Sequence, residues 1–383
     1  MTVIVKASGP ADLLAMVPSM VRMVPRNSVV FLAFRGKRTC GAMRFNLPTA
    51  ATKIVQKRLI TTMIGTLCKL PAVDAVVPVI YTDEGFAGSA VIPHAEFAEL
   101  LARRLKLSGF ALRESLCQAS DGWASYFEPD VPHGGHLLDE VTSSNAAELI
   151  PHDLRELPDS EGIPRRVPDA APQAMIRMRK RLATYRRLLD SVTGDSDDDF
   201  PAVLRPLGDL PLFAESALAW DAAAIEQHGA LLAFMLQGPP SRDLVMLQWA
   251  TSMAVGDQMW DAGMSEDALR ASAAKPGNVD VGDLMMGIAP RPDPARIDKA
   301  IALLSVLVAQ LADEKRPPLL CMLTWLSWAL GGGTRAGRYL DEVVAIDPTY
   351  SMAELLGTML GNGMLPEWAF QDRTTGSSHR LPE

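Results

Sequence analysis

The sequence has few of the features that mark secreted, disulfide-rich or membrane-spanning proteins. It contains four cysteines in 383 residues, with no short interval between any two, which favours a reducing compartment over a disulfide framework. Its longest apolar stretches, residues 300–311 and 319–330, are about a dozen residues each, whereas a membrane helix needs about 20. No basic segment followed by a long apolar run opens the chain. These absences predict a soluble, cytoplasmic protein.

Local catalytic and cofactor motifs are also absent. There are only six histidines, and no Gly-x-Ser-x-Gly, His-Glu-x-x-His or Cys-x-x-Cys pattern occurs. Residues 332–338 have the glycine spacing of a phosphate loop, but they lack its lysine and follow a predicted helix, so the glycines are expected to end that helix before a further helix at residues 335–346. No cofactor is predicted. Because catalytic groups often meet only in the folded protein, the sequence leaves open whether the protein is an enzyme.

What the sequence does have is a globular composition with an uneven distribution of charge. Apolar residues make up 48% and charged residues 21% of the chain, and its net charge is −8. Residues 1–128 hold 15 basic and 9 acidic residues, whereas the remaining 255 hold 22 and 36. This asymmetry indicates either a basic face for phosphates in the first half or two halves that attract each other.

The first 128 residues alternate between strand-like and helix-like patterns. A hairpin is predicted around residues 35–38, and the nearly all-apolar run 74–81 is typical of a buried strand. Helical periodicity covers residues 51–70 and 93–107, and residues 110–127 resemble a closing hairpin. Interleaved strands and helices predict an α/β domain, residues 1–128, with a mixed sheet and helices packed on it.

The rest of the chain is predicted to be a linker followed by helices. Residues 129–171 are rich in proline, glycine and acids, which is typical of an extension or linker. Residues 172–383 predict an all-α domain of helical hairpins that resemble tetratricopeptide repeats. Its first helix has a basic face that could meet the acidic run 195–199 or a partner. The apolar stripe of that helix comprises Met175, Met178, Leu182, Tyr185, Leu189 and Val192.

The most pointed set of potential ligands lies between residues 121 and 140. His133 and His136 are three residues apart and have acids nearby, so they are weak candidates for a zinc site. Asp121, Trp123 and Tyr126 precede them and could line a pocket beside the sheet. The alternative is a polar loop whose histidines face water, with the aromatic residues packed in the core.

A second candidate surface is the tip of the first hairpin. Arg35, Lys37 and Arg38 lie there, between strands that carry phenylalanines. Basic ribbons with interleaved aromatic residues can bind nucleic acid. The alternative is a solubilising tip whose aromatic residues face the core.

Several segments together resemble a known family. Residues 8–18, 24–32, 121–126, 325–329 and 345–356 resemble, in this order, an actinobacterial or actinophage domain-of-unknown-function family, number 4192. The resemblance implies a cytoplasmic protein and supplies no reaction. Relatives often carry adjacent cysteines after the strand at 121–126, but the corresponding residues 128–135 of this chain contain none. That difference argues against thiol or metal chemistry in this loop.

These observations leave three hypotheses for function. The leading one is a protein-interaction or scaffolding module that presents its helical domain to a protein partner. The second is an enzyme or a ligand-binding or metal-binding protein with a pocket near residues 121–140. The third is association with nucleic acid through the basic first half. No membrane partner is expected, and the oligomeric state is open.

Overall fold

The computed structural model describes residues 7–48, 52–87, 91–151, 157, 159, 166–191, 201–263 and 265–369. The chain forms two compact units, Met1–Ile163 and Pro164–Glu383. Cys40 and Cys68 are exposed, whereas Cys117 and Cys321 are buried. Among the described residues, no helix is both long enough and apolar enough to cross a membrane.

The first unit is built on a mixed six-stranded sheet, which confirms the predicted sheet. The strand order is β2-β1-β3-β5-β6, and the short strand β4 also pairs with β3. Strand β3 runs antiparallel to β1 and parallel to both β4 and β5, while the β1–β2 and β5–β6 pairs are antiparallel. The strands are β1 (Ser28–Arg35), β2 (Arg38–Asn46), β3 (Ala75–Tyr81), β4 (Ala111–Leu112), β5 (Leu116–Gln118) and β6 (Trp123–Ser125).

Helices cover both faces of this sheet. Helices α2 (Lys53–Leu67) and α3 (Ala95–Leu107) pack on the face that carries Val29, Phe31 and Ile80. Helices α1 (Pro10–Val21) and α4 (Asp139–Thr142) pack on the opposite face, and α5 (Asn145–Leu149) joins α1. Because both faces are covered, all seven residues of β3 are buried, as its apolar sequence predicts.

A buried carboxylate fastens α5 to the start of α1. Asp12 accepts hydrogen bonds from the backbone N–H of Ser8 at 2.7 Å and of Ala146 at 3.0 Å. Burial by itself would raise the pKa of Asp12, but these hydrogen bonds outweigh burial and lower it. Residues 139–149 therefore pack on the first unit, although they fall within the predicted extension 129–171.

One local difference from the sequence prediction concerns residues 110–127. These residues were expected to form a single closing hairpin, but the first arm divides into β4 and β5. At the break, the Glu114 carboxylate accepts hydrogen bonds from the backbone N–H of Ser115 at 3.0 Å and from the Ser125 hydroxyl at 2.5 Å. This local bonding gives the backbone an alternative to the ladder, so only β5 pairs with β6.

The second unit is helical where it is described. Two of its long helical stretches are each divided into two helices. One division lies at Asp221, which caps a new helix by accepting from the Ala224 N–H at 2.8 Å, and the other lies at residues 251–252. The helices are α6 (Pro172–Asp190), α7 (Leu210–Ala217), α8 (Ala222–Met235), α9 (Pro239–Ala250), α10 (Met253–Asp261), α11 (Glu266–Ala273), α12 (Val281–Met286), α13 (Pro294–Gln310), α14 (Pro317–Ala329), α15 (Gly333–Ile346) and α16 (Ser351–Gly361).

Tryptophans hold the core of this unit around α14, all of whose residues are buried. The indole N–H of Trp325 donates to the Met285 carbonyl at 2.9 Å, and that of Trp328 donates to the Met364 carbonyl at 2.7 Å. Trp368 packs edge-on against Trp328, with ring centroids 6.0 Å apart. Each indole is therefore buried with its polar atom satisfied, as expected of core aromatic residues.

Candidate functional site

The carboxyl ends of β3 and β5 place a row of polar and aromatic side chains on one face of the sheet. Tyr81 is the last residue of β3 and pairs in register with Gln118, the last residue of β5. Gln118 pairs with Trp123 on β6, and Trp123 pairs with His136 through an isolated bridge. Because directly paired residues point to the same face, these four side chains form one row. This edge of an α/β sheet is where ligands commonly bind.

His136 is fixed at the end of this row. Its backbone exchanges two hydrogen bonds with Trp123, at 2.7 and 3.0 Å, and its ring stacks on the indole with centroids 4.4 Å apart. Its Nε2 lies 2.9 Å from Glu128 Oε2. The imidazole is thus oriented by a carboxylate and an aromatic face.

Two buried polar atoms in the row have no hydrogen-bond partner among the described residues. They are the Tyr81 hydroxyl and the Trp123 indole nitrogen. Tyr81 is 4% exposed and Trp123 is 6% exposed. Burial raises the pKa of Tyr81 above its ordinary value, so its hydroxyl stays protonated.

Asp121 joins two neighbouring loop segments through hydrogen bonds to the backbone. Its carboxylate accepts hydrogen bonds from the backbone N–H of Phe86 at 2.8 Å and of Ala87 at 3.2 Å. A Cβ at Gly85 would lie 2.6 Å from the Asp121 carboxylate, and a Cβ at Gly122 would lie 2.5 Å from the Gly134 carbonyl oxygen. The geometry therefore gives Asp121 a structural contact, in which it ties the segment after β3 to the turn before β6.

The opposite face of the sheet does not supply an activated nucleophile. Burial raises the pKa of the Cys117 thiol to about 12. Tyr126 donates its hydroxyl to the Pro93 carbonyl at 2.6 Å. His94 Nε2 lies 3.0 Å from Thr82 Oγ1.

The Thr82–His94 contact differs from a catalytic triad. Glu84 Oε1 approaches His94 at 3.7 Å, but it approaches Nε2, the same nitrogen that meets Thr82. In a triad the carboxylate orients the base through the other ring nitrogen. The Glu84 carboxylate is therefore not placed to orient His94 as a base that would activate Thr82.

The histidine loop is a turn stabilised by glycines. Gly134 and Gly135 adopt positive φ angles of 88° and 75°, and the Gly135 N–H donates to the Pro132 carbonyl at 2.9 Å. His133 is exposed. Within the described part of the chain, no group of three or more His, Cys, Asp or Glu side chains could hold a metal ion.

The basic hairpin tip is hydrogen-bonded to other segments of the first unit. Arg35 Nη2 donates to the Pro71 carbonyl at 2.8 Å, and Arg113 donates to the Gly36 carbonyl. Lys37 and Arg38 are exposed. The neighbouring phenylalanines of β1 are buried, so this hairpin offers charge without an exposed aromatic ring from that strand.

The second unit contains a charged cleft that the sequence did not reveal. Its volume is about 930 Å³. Pockets for small molecules are of similar size but are lined mainly by apolar groups, whereas six of the eight residues of this cleft are charged. They are Arg166, Asp313, Glu314, Arg338, Asp341, Glu342, Ala345 and Ile346.

A buried ion pair forms the base of this cleft. Arg316 is fully buried and donates to Glu342 Oε1 at 3.0 Å and to the Val167 carbonyl at 3.0 Å. Glu342 is 4% exposed, and its Oε2 accepts from the Val167 N–H at 2.7 Å. Arg316 also donates to Asp169. This network holds the segment around Val167 against α15 and the start of α14.

The charges at the rim differ from those at the base. Arg166 is held by both oxygens of Asp313, at 2.6 and 3.0 Å, and this contact lowers the pKa of Asp313. The side chains of Glu314, Arg338 and Asp341 make no hydrogen bond or ion pair with any described residue. Two carboxylates and one guanidinium therefore remain for a ligand.

Comparison with known proteins identifies a family and no function. No curated protein and no solved structure matches the chain. The family described as "Domain of unknown function (DUF4192)" matches residues 10–367, which include both units and the cleft. The chain belongs to this family, whose description names no reaction, ligand or partner.

Proposed function

We propose that the protein is a protein-interaction module whose helical unit binds a basic segment of a protein partner in the charged cleft. The observation that carries this proposal is the pairing state of the cleft's charges. Arg166, Asp313 and Glu342 are engaged within the unit, whereas Glu314 and Asp341 offer free carboxylates beside Arg338. A segment of net positive charge complements this surface.

The cleft lies beside three helices that are successive in sequence and pack on one another. Helices α14 and α15 pack closely, and α16 packs on both of them. Tetratricopeptide-like hairpins bind peptides on surfaces of this kind, which favours a peptide occupant over a small molecule. The apolar side chains of Ala345 and Ile346 would contact the methylene groups of a lysine or arginine.

Site-specific photocrosslinking tests the proposal. A photoreactive residue at Ala345, inside the cleft, is compared with one at Val344, the exposed neighbour that does not line it. We expect Ala345 to crosslink one partner through a peptide rich in lysine or arginine, and Val344 not to. Glu314→Lys together with Asp341→Lys should abolish that crosslink. Equal crosslinking from both positions, or capture unchanged by charge reversal, would contradict the proposal.

The structure favours the enzyme hypothesis less. The Cys117 thiol is buried, which raises its pKa, and the Glu84 carboxylate approaches the same nitrogen of His94 that meets Thr82. The row from Tyr81 to His136 nonetheless keeps two unsatisfied donors, which would suit a small hydrogen-bond acceptor. Ligand binding there is the second candidate function.

A further inference from the structure

Helix α6 carries the densest concentration of positive charge on the second unit. Six of its 19 residues are arginine or lysine, and Asp190 is its one acidic residue. The unit as a whole, residues 164–383, holds 21 basic and 28 acidic residues, so its net charge is −7. The surface around α6 is therefore locally positive, although the unit as a whole has a net negative charge.

The basic residues of α6 divide into two sets by the contacts they make. Arg177 lies 3.7 Å from the Glu226 carboxylate, and Arg181 donates to the Glu226 carbonyl. These two side chains fasten α6 to α8. The other four are exposed and make no ion pair with a described residue.

These four side chains form one exposed surface, which we call the α6 basic face: Arg179, Lys180, Arg186 and Arg187. At about 100° per residue, they fall within an arc of about 120°, opposite the buried Met178 and Tyr185, and this arc also contains Ile176, Ala183 and Asp190. The two pairs are seven residues apart, about 10 Å along the helix.

The charged ends of this face remain available to a ligand. The side chains of Arg179 and Lys180 make no hydrogen bond or ion pair with any described residue. Arg187 bonds only within its own helix, to Ala183 O at 3.4 Å and Thr184 Oγ1 at 3.3 Å. Arg186 lies over the Phe234 ring, 5.6 Å from its centroid. The acidic run 195–199 lies outside the described residues, so its predicted contact with this face stays a prediction.

We infer that the α6 basic face binds the phosphate backbone of duplex nucleic acid. Protein interfaces have an apolar centre, and surface-bound amphipathic helices turn an apolar face to the membrane. This helix exposes only Ile176 and Leu189 among its large apolar side chains, at 41% and 37%. Interfaces with nucleic acid are polar and strongly positive, and three of the four cations are arginines, whose planar forks match phosphate oxygens.

The proposed contact has a quantitative signature in its salt dependence. Four neutralised phosphates predict a slope of about −3.6 in a plot of log affinity against log salt. Between 50 and 200 mM salt, a fourfold change, the affinity should therefore fall about 100-fold. The contact carries no base readout, so unrelated sequences should bind alike.

The test measures binding of the full chain to two unrelated 20-base-pair DNA duplexes by fluorescence anisotropy. The variant Arg179→Glu/Lys180→Glu/Arg187→Glu spares Arg186, which packs on Phe234. Its matched control is Arg205→Glu/Lys275→Glu/Lys299→Glu, which makes the same change in charge at exposed positions elsewhere on the unit. A glutamine version of the α6 triple variant and circular dichroism separate loss of binding from loss of folding.

We expect wild type and control to bind with a slope near −3.6, and both α6 variants to lose most of the affinity and of the slope. Absence of binding at 50 mM salt, or equal losses in variant and control, would overturn the inference. Displacement of the duplex by polyglutamate at equal charge would instead assign the face to an acidic protein. Preferential binding to vesicles of anionic lipid would assign it to a membrane surface.

Discussion

Removing the Glu342 side chain should destabilise the helical unit more than removing any exposed charge near it. In Glu342→Ala, Arg316 keeps its carbonyl partners and Asp169 but loses its one buried counter-ion, and the Val167 N–H loses its acceptor. Breaking a buried ion pair costs about 3–5 kcal/mol. Asp169 and Asp313 are half-exposed and still neutralise part of the charge, so we expect the lower end, about 3 kcal/mol.

The assay is urea unfolding followed by tryptophan fluorescence, because six of the seven tryptophans lie in residues 164–383. With an m-value of about 3 kcal/mol per molar, the midpoint should fall by about 1 M. Glu342→Gln retains an acceptor and should lose less. Asp341→Ala, on the exposed side of the same helix, should change stability by less than about 0.5 kcal/mol. A loss below about 1 kcal/mol in Glu342→Ala would refute the view that this pair secures the base of the cleft.

Three further predictions concern buried or partly buried groups. Tyr81→Phe should leave the free energy of unfolding unchanged or raise it by about 1 kcal/mol, because the Tyr81 hydroxyl has no partner among the described residues. Tyr126→Phe should lower it by about 1 kcal/mol, because the Tyr126 hydroxyl donates to the Pro93 carbonyl. The reverse order would contradict the assigned hydrogen bonds. In native protein, a thiol reagent should modify only the two exposed cysteines, since burial raises the pKa of the other two to about 12; full labelling without unfolding would contradict this. The hydrogen bonds from Arg296 lower the pKa of Glu215 below 4.5, so the stability that this pair confers is present above about pH 4.5 and is lost as the pH falls through the lower pKa of the folded state. Glu215→Gln should make the free energy of unfolding depend less on pH in this acidic range. An unchanged pH dependence would show that the pair does not titrate with folding.

The first three strands were predictable because their sequences leave few alternatives. The run 74–81 is apolar throughout, and the segments flanking residues 35–38 fit a tight hairpin, so β1, β2 and β3 agree with the prediction. The division into β4 and β5 depends on Glu114, whose carboxylate competes with the ladder for donors. A side chain that bonds both to the next backbone N–H and to a serine eleven residues away carries no periodic signal.

Helix ends show a similar limit. Ser8, Pro10 and Asp12 are residue types that favour a helix start, and α1 begins at Pro10. No side chain caps that end, and Asp12 instead accepts the Ser8 N–H. In α8, the cap at Asp221 was readable from the sequence as a residue type that starts helices, but the apolar periodicity on both sides masked it.

The candidate sites show that local motifs do not indicate which side chains a residue contacts in the folded protein. Asp121, His136 and Tyr126 were selected because their side chains carry chemistry, and each proves to have a partner that fixes a turn or a ring. The charged cleft was invisible because its parts are distant in sequence: Val167 and Arg316, whose hydrogen bond joins its base, are 149 residues apart. A single arginine or glutamate has no local signature of burial, since these residues are usually solvated. Both binding proposals therefore rest on unpaired charge at the folded surface, which no short motif encodes.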